Sequence, residues 1–247
     1  MNAAFYSGAS GLVAFQQGMD QLAHNMANVN TTGYKATRTN FSDLLYTQMD
    51  VNAQEKPLTG HGVKTTGQDL ICTQGITTPT SNQLDFALIG DGFFAVEKGD
   101  HIEYTRNGAF HISVEGRSGY LVSSDDGYVL DAKGKQIKLD RKNRNSPFEL
   151  DSIREEIGVY QFENPYGLQQ TENSCFLETE ISGEAKASNA KRNAELPYTI
   201  VQNTLERSNV DLSQEMVDVI VTQKAFQFSA KMVQTADTVE EIVNNLR

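Results

Sequence analysis

The sequence has few cysteines and a shortage of positive charge. Cys72 and Cys175 stand alone, outside any CxxC motif or Cys/His cluster with metal-ligand spacing. A metal site is therefore not predicted, and a disulfide between the two is left open. The 21 lysines and arginines are outnumbered by 32 acidic residues, for a net charge of -11. Because the phosphate backbone selects clustered lysine and arginine, nucleic-acid binding is not expected.

Long apolar runs are also missing. No stretch approaches eighteen consecutive apolar residues, so no transmembrane span is predicted. The first thirty residues lack the charged start, the unbroken apolar core and the cleavage site of a secretory signal. A cytoplasmic location is the default expectation, unless an export route reads an uncleaved N-terminus.

Residues with catalytic chemistry do not gather into a recognisable motif. The four histidines are scattered, and neither a nucleophile motif nor a phosphate-binding glycine loop occurs. The aspartates around Asp126 lack the glutamate that a calcium loop places at its twelfth position. The sequence therefore predicts no catalytic residue, no cofactor and no metal, and an enzyme is not expected.

The end of the chain, by contrast, predicts one long helix. No proline follows Pro197 and no glycine follows Gly183. From Leu205 to Leu246, apolar residues recur at spacings of four and three, which is typical of a helix that packs on other helices. Such a helix would be roughly 60 Å long, more than one small domain covers. The predicted packing positions are Leu212, Met216, Val219, Gln223, Phe226, Ala230, Val233, Ala236, Val239, Val243 and Leu246.

The start of the chain predicts a matching helix that ends near Asn30. Its apolar positions keep the same alternation and are Phe5, Gly8, Leu12, Phe15, Met19, Leu22, Met26 and Val29. One interpretation is an intramolecular hairpin of the two terminal helices, since helical stripes usually belong to a core. The other is that both stripes exceed what one chain covers, so that copies of the chain pack side by side.

The middle of the chain predicts an antiparallel β domain over residues 76–181. Short apolar-polar alternations are separated there by turn dipeptides such as Asp91-Gly92 and Lys133-Gly134. The clearest predicted hairpin has its turn at Asn107-Gly108, because Asn-Gly favours the type I′ turn. Residues 36–75 and 182–200 are predicted to be extended connectors. The expected fold is α+β, with a discontinuous helical assembly domain, residues 1–35 and 201–247, flanking the β domain.

Motifs at both ends resemble those of the bacterial flagellar basal-body rod and hook protein family. The matching residues are Asn28, Asn30, Thr31, Gly33, Tyr34 and Lys35 near the start, and Ser208, Asn209, Val210 and Gln223 near the end. Residues 84–94, 104–108 and 164–168 are similar to internal segments of the family. Residues 41–46 look most like the distal rod type, and a proximal rod or hook relative is the alternative within the family.

The resemblance implies a structural subunit without a cofactor. Such subunits are exported unfolded through the flagellar export apparatus, and they polymerise into a helical tube that transmits torque from motor to hook. The implied location is the basal body, and the implied partners are other copies, other rod and hook subunits and the export apparatus. Ring proteins and peptidoglycan are further candidates. The rival from a different class is a secreted β-domain binding module on a helical stalk.

Overall fold

The computed structural model describes residues 3–48, 58–115, 118–140, 153–188 and 198–246. The chain forms two compact units, each built from segments that are distant in sequence. Unit 1 contains residues 1–27, 37–69 and 211–247, and unit 2 contains residues 28–36 and 70–210. Helices and antiparallel strands are both present, which confirms the α+β class.

Two long helices belong to unit 1. They are α1 (Ala3–Ala27) and α3 (Leu212–Asn245), while the short α2 (Ile153–Glu156) lies in unit 2. The predicted start of the last helix at Leu205 is wrong. Asp211 caps α3, since its carboxylate accepts hydrogen bonds from the backbone N–H groups of Ser213 (2.9 Å) and Gln214 (3.4 Å). Within the segment predicted as helix, Thr204–Glu206 instead form a strand that pairs with Thr77–Pro79.

Four short strands follow α1. They are β1 (Thr37–Asp43), β2 (Tyr46–Gln48), β3 (Leu58–Gly60) and β4 (Val63–Leu70). β1 pairs with β4, and β2 pairs with β3. The predicted extended connector over residues 36–75 includes residues 49–57, which lie outside the described ranges. Much of the rest is hydrogen-bonded in these two ribbons.

The remaining strands belong to unit 2. They are β5 (Thr77–Pro79), β6 (Phe86–Gly90), β7 (Phe93–Lys98), β8 (His101–Thr105), β9 (Phe110–Glu115), β10 (Ser118–Ser123), β11 (Tyr128–Val129), β12 (Lys138–Asp140), β13 (Val159–Gln161), β14 (Gln169–Gln170), β15 (Cys175–Leu177), β16 (Lys186–Ser188), β17 (Tyr198–Gln202) and β18 (Thr204–Glu206). Ten of them form one sheet in the order β12-β10-β11-β7-β8-β15-β14, with β9 beside β10, β13 beside β7 and β16 beside β13. The last two strands of the chain instead pair with early ones, β17 with β6 and β18 with β5.

The two faces of this sheet carry separate apolar clusters. Phe94 belongs to a cluster with Phe86 and Leu121, whereas Phe93 packs with Phe176 in the other. Because neighbouring residues of a strand point to opposite faces, Phe93 and Phe94 of β7 place the clusters on opposite sides. The sheet is therefore a two-sided core, buried more deeply than the helices of unit 1.

The predicted hairpin at Asn107-Gly108 is wrong. β8 pairs with β7 through a turn that joins Lys98 to His101, and β9 pairs with β10 instead. The Gly108 carbonyl accepts a hydrogen bond from Phe86 N–H (3.0 Å), so this segment crosses next to β6 rather than turning back. Contact with a distant strand has overridden the local turn preference.

Other turn predictions agree with the structure. Leu130 lies opposite Gln136 across the turn at Lys133-Gly134, and residues 165–167 form a 3-10 turn after Asn164. The predicted connector over residues 182–200 is described only in part: it contains β16, and residues 189–197 lie outside the described ranges.

Candidate functional site

Small residues bring α1 and α3 close together in unit 1. A Cβ added to Gly8 would lie 2.9 Å from a methyl group of Val233, and at the other end Asn25 Nδ2 donates to Glu215 Oε1 (3.3 Å). These pairs show that the two helices run antiparallel. Burial raises the pKa of Glu215, and the hydrogen bond from Asn25 partly offsets that rise. The buried face of α1 consists of Gly8, Gly11, Ala14, Gly18, Gln21 and Asn25.

Polar side chains on this face also hold α1 against β1. Gln21 Nε2 donates to Thr37 Oγ1. Asn25 Nδ2 donates to the Thr37 carbonyl (2.9 Å), and Asn25 Oδ1 accepts from the Thr37 N–H (3.2 Å). An apolar side chain could not make these two hydrogen bonds, so the polar side chains near the end of α1 are needed to hold β1 in place.

Most of the predicted apolar positions of α1 lie beside its most buried face rather than on it. Gly8 lies on that face and Phe5 is exposed, whereas the others are half-buried. Among these, Phe15 packs against Phe41 with 5.9 Å between ring centroids. Part of each half-buried side chain therefore remains accessible in the single subunit. Those within α1 are Leu12, Phe15, Met19, Leu22 and Met26, while Val29 belongs to unit 2.

The predicted packing residues of α3 fall into two groups. Val219, Phe226, Ala230 and Val233 are half-buried and Ala236 is buried, which makes them part of the face toward α1. Burial on α3 ends at Ala236, and every side chain from 237 to 245 is exposed. The exposed members of the predicted set are Leu212, Met216, Gln223, Val239, Val243 and Leu246.

Helix α3 carries a second apolar stripe that the seven-residue spacing did not distinguish from the predicted packing positions. We call it the outer stripe; it consists of Val217, Ile220, Val221, Phe228, Met232, Val239, Ile242 and Val243, all exposed. Phe228 is 65% exposed and Val221 is 60% exposed. At about 100° per residue, the stripe is centred about 125° away from the face toward α1. One helix thus carries two apolar faces, and the described part of the chain covers one of them.

Segments from the two ends of the chain meet in unit 2. Asn209 Oδ1 accepts a hydrogen bond from Ala36 N–H (2.7 Å), and Asn209 Nδ2 donates to the carbonyls of Ile71 (2.8 Å) and Thr73 (3.1 Å). The backbone N–H of Asn209 donates to the Tyr34 carbonyl (3.4 Å). One amide side chain therefore joins three segments of the chain, which requires both a donor and an acceptor. We call this region the terminal junction.

A buried group of charges lies within the terminal junction. Lys35 Nζ is 2.6 Å from Glu206 Oε1 and also donates to the Thr73 carbonyl (2.8 Å). Arg106 Nη1 is 3.4 Å from Glu206 Oε2, and Arg106 Nη2 donates to the Gly90 carbonyl (2.8 Å). The side chains of Lys35, Glu206 and Arg106 are only 1%, 0% and 4% exposed. We call these three residues the buried triad.

The environment of the buried triad opposes its positive charges. Burial lowers the pKa of both Lys35 and Arg106, while the attraction of Glu206 raises both. Removing one member of a buried ion pair typically costs about 3–5 kcal/mol, because the partner is left as an uncompensated charge. The triad therefore makes the terminal junction dependent on Glu206.

The residues of the terminal motifs are mostly accounted for by this junction. Gly33 has a φ of +69°, and a Cβ there would lie 2.6 Å from the carbonyl carbon of Arg106, so no larger residue fits. Asn30 Oδ1 accepts a hydrogen bond from Arg207 (3.1 Å). Gln223 lies apart, exposed on α3 of unit 1. The remaining polar motif residues bond within their own turns: Thr31 donates to Asn28 (3.1 Å), and Ser208 Oγ accepts from Val210 N–H (3.3 Å).

Comparison with known proteins finds relatives that span the whole chain. Three family profiles match: flagella basal body rod protein over residues 5–35, flagellar hook protein FlgE/F/G D1 domain over 87–153, and flagellar basal body rod FlgEFG protein C-terminal over 201–246. The flagellar basal-body rod protein FlgG of Borreliella burgdorferi is 33% identical, over 100% of this chain and 99% of the relative. The chain belongs to the flagellar basal-body rod protein family. FlgG of Bacillus subtilis is 31% identical over 98% of both chains.

This rod protein is a structural subunit of the flagellar basal body, as its relatives are. The resemblance that the terminal motifs predicted is confirmed, including its distal rod type, which corresponds to FlgG. The N-terminal profile covers α1 and the first segment of the terminal junction, and the C-terminal profile covers the second segment and α3. Among the described residues, no helix has the length and apolarity needed to cross a membrane.

Proposed function

We propose that this rod protein polymerises into a helical tube through the helices of unit 1, with the outer stripe of α3 as the main contact between subunits. One observation supports this proposal above the others: α1 covers a single face of α3, and the outer stripe stays exposed from Val217 to Val243. Exposed apolar patches of this kind mark interaction surfaces.

The neighbour that covers the outer stripe is a second copy of the chain. The half-buried side chains of α1, including Leu12, Met19 and Leu22, offer a second apolar surface on the same unit. Contact between two different surfaces of identical subunits does not close into a dimer and produces rings or open filaments. Coiled-coil packing between subunits would also involve other predicted packing positions, namely Met26, Val29, Leu212, Met216 and Val239.

The wider role follows from membership of the family. We infer a tube that passes torque from motor to hook, assembled from subunits delivered unfolded by the flagellar export apparatus. Other rod and hook subunits are its axial neighbours, and ring proteins or peptidoglycan would face it from outside. In this proposal the terminal helices carry assembly, and the β-rich domain lies between them in the chain.

The test compares two charge substitutions on α3. Phe228→Asp places a carboxylate in the outer stripe, and we expect it to prevent tube formation because burying that charge between subunits is unfavourable. Gln234→Asp adds the same charge at an exposed position of α3 that lies off the outer stripe and off the face toward α1. Electron microscopy and sedimentation of concentrated protein measure polymerisation, and circular dichroism checks that helix content is unchanged.

Wild type and Gln234→Asp should form tubes at concentrations where Phe228→Asp stays monomeric. Tubes of normal length from Phe228→Asp would rule out the outer stripe as the contact. A wild-type chain that forms no tubes at any concentration would instead favour a binding module on a stalk.

A further inference from the structure

The charges of the buried triad do not balance. Two cations, Lys35 and Arg106, share one carboxylate, Glu206, and all three are almost wholly buried. Asp91 also attracts Arg106, but it is exposed and therefore well solvated. Among the described residues, Glu206 alone makes an ion pair with either cation. The burial of both cations therefore depends on one residue.

That carboxylate is contributed by the last segment of unit 2. Residues 198–210 follow every strand of the ten-stranded sheet in the chain. The same segment supplies β17, the only strand paired with β6 in the described structure, and β18, the only one paired with β5. Glu206 Oε1 also accepts a hydrogen bond from Gly75 N–H (2.8 Å). Residues 198–210 therefore supply both the partner strands of β5 and β6 and the carboxylate that forms ion pairs with Lys35 and Arg106.

We propose that Glu206 is a folding latch, meaning that unit 2 reaches its stable fold only when residues 198–210 dock and Glu206 enters the buried triad. Before docking, burying Lys35 and Arg106 would place two like charges in a low-dielectric interior without a counter-ion, which is strongly unfavourable. The penalty is comparable with the whole stability of an ordinary domain. The earlier part of unit 2 therefore stays open while the end of the chain is not available. This inference concerns folding and does not depend on polymerisation.

Three full-length variants test the role of the charge. Glu206→Gln removes the charge with little change in shape, and we expect the folding equilibrium constant of unit 2 to fall at least about 100-fold. The matched control is Glu163→Gln, because Glu163 forms an exposed ion pair with Lys186 at 3.5 Å; its effect should stay within about twofold. Lys35→Met combined with Glu206→Gln removes one of the two cations, and it should recover at least about tenfold of the loss. Urea unfolding followed by near-ultraviolet circular dichroism measures all three.

A measurement on the wild-type chain separates a latch from an ordinary stabilising contact, and it remains possible if Glu206→Gln does not fold. Pulsed hydrogen exchange during refolding reports when each strand becomes protected. A latch requires that amides of β7 and β8 become protected together with those of β6 and β17. Protection of β7 and β8 well before β17 would overturn the proposal. So would a Glu206→Gln variant within twofold of wild type, or a double variant no more stable than Glu206→Gln.

Discussion

At the scale of single residues, unit 2 uses polar groups where an ordinary core has apolar ones. Asn209 and the buried triad connect segments that are distant in sequence, including Ala36 and Asn209, which are 173 residues apart. The members of the buried triad are ion-paired away from solvent, and Asn209 is half-buried and fully hydrogen-bonded to neighbouring segments. Contacts of this kind depend strongly on every partner. Replacing one hydrogen-bond donor by an acceptor is therefore expected to lower the stability of unit 2 more than the same replacement on the surface.

The buried thiol of Cys175 gives a prediction about alkaline pH. Burial, with a smaller contribution from Glu103, raises the pKa of Cys175 to about 12 from an ordinary value of 9.0. The folded thiol stays protonated where the unfolded one ionises. Its contribution to stability is therefore complete below pH 9 and is lost as the pH rises from about 9 toward about 12.

The expected result is a difference in slope between two proteins. Above pH 9 the free energy of unfolding of wild type should fall faster than that of Cys175→Ala, by up to about 1.4 kcal/mol per pH unit. Urea unfolding at pH 8, 9 and 10 measures both slopes, and other titrating groups cancel in the comparison. Parallel curves would show that the thiol ionises equally in both states.

At the scale of elements, the glycine-lined face of α1 sets how closely α3 approaches. Gly8→Leu should push the helices apart, since even a Cβ at Gly8 would lie 2.9 Å from Val233. Overpacking of this kind destabilises by about 1–3 kcal/mol. Thermal unfolding followed by the helical circular dichroism signal measures the loss. Adding Val233→Ala makes room for the new side chain, and the double variant should regain at least half of it; no recovery would mean that the two residues do not pack together.

The helices also show what their periodicity could and could not predict. The four-three alternation correctly indicated two terminal helices. It followed the contact face of α3 only in part, because a strict seven-residue repeat drifts by about 20° per heptad on a straight helix. The predicted positions therefore begin at the exposed Leu212, lie mostly on the covered face between Val219 and Ala236, and reach the outer stripe at Val239. The outer stripe itself was missed because lysines and threonines interrupt it.

The strands were predictable in character but less so in pairing. Alternation and turn residues indicated an antiparallel β domain, and the turn near Gly134 formed as expected. The Asn107-Gly108 turn did not form, because Gly108 bonds to a strand about twenty residues earlier. The buried triad also could not be predicted from local sequence patterns. Family motifs pointed to Lys35 and Asn209, but their role depends on contacts between residues more than 100 positions apart.

At the scale of the whole molecule, unit 2 is closed by residues from both ends of the chain. We expect limited proteolysis of the free subunit to leave a resistant core whose C-terminal boundary lies beyond Glu206, because β17, β18 and the terminal junction belong to that core. The exposed part of α3 after Ala236 should be cut first. Mass spectrometry of the digest identifies the boundary, and a stable core that ends before Thr204 would contradict this assignment.

The two ends of the helix pair in unit 1 differ. Near Asn25 and Glu215 the helices stop within a few residues of each other, whereas at the opposite end α3 continues with bare apolar side chains beyond Ala236. Identical subunits joined lengthwise by a heterologous contact between two such different ends all point the same way. A tube built from them has polarity, because one terminus presents protruding helix tips and the other presents none. Incoming subunits therefore bind to a different surface at each terminus, and the two termini elongate at different rates.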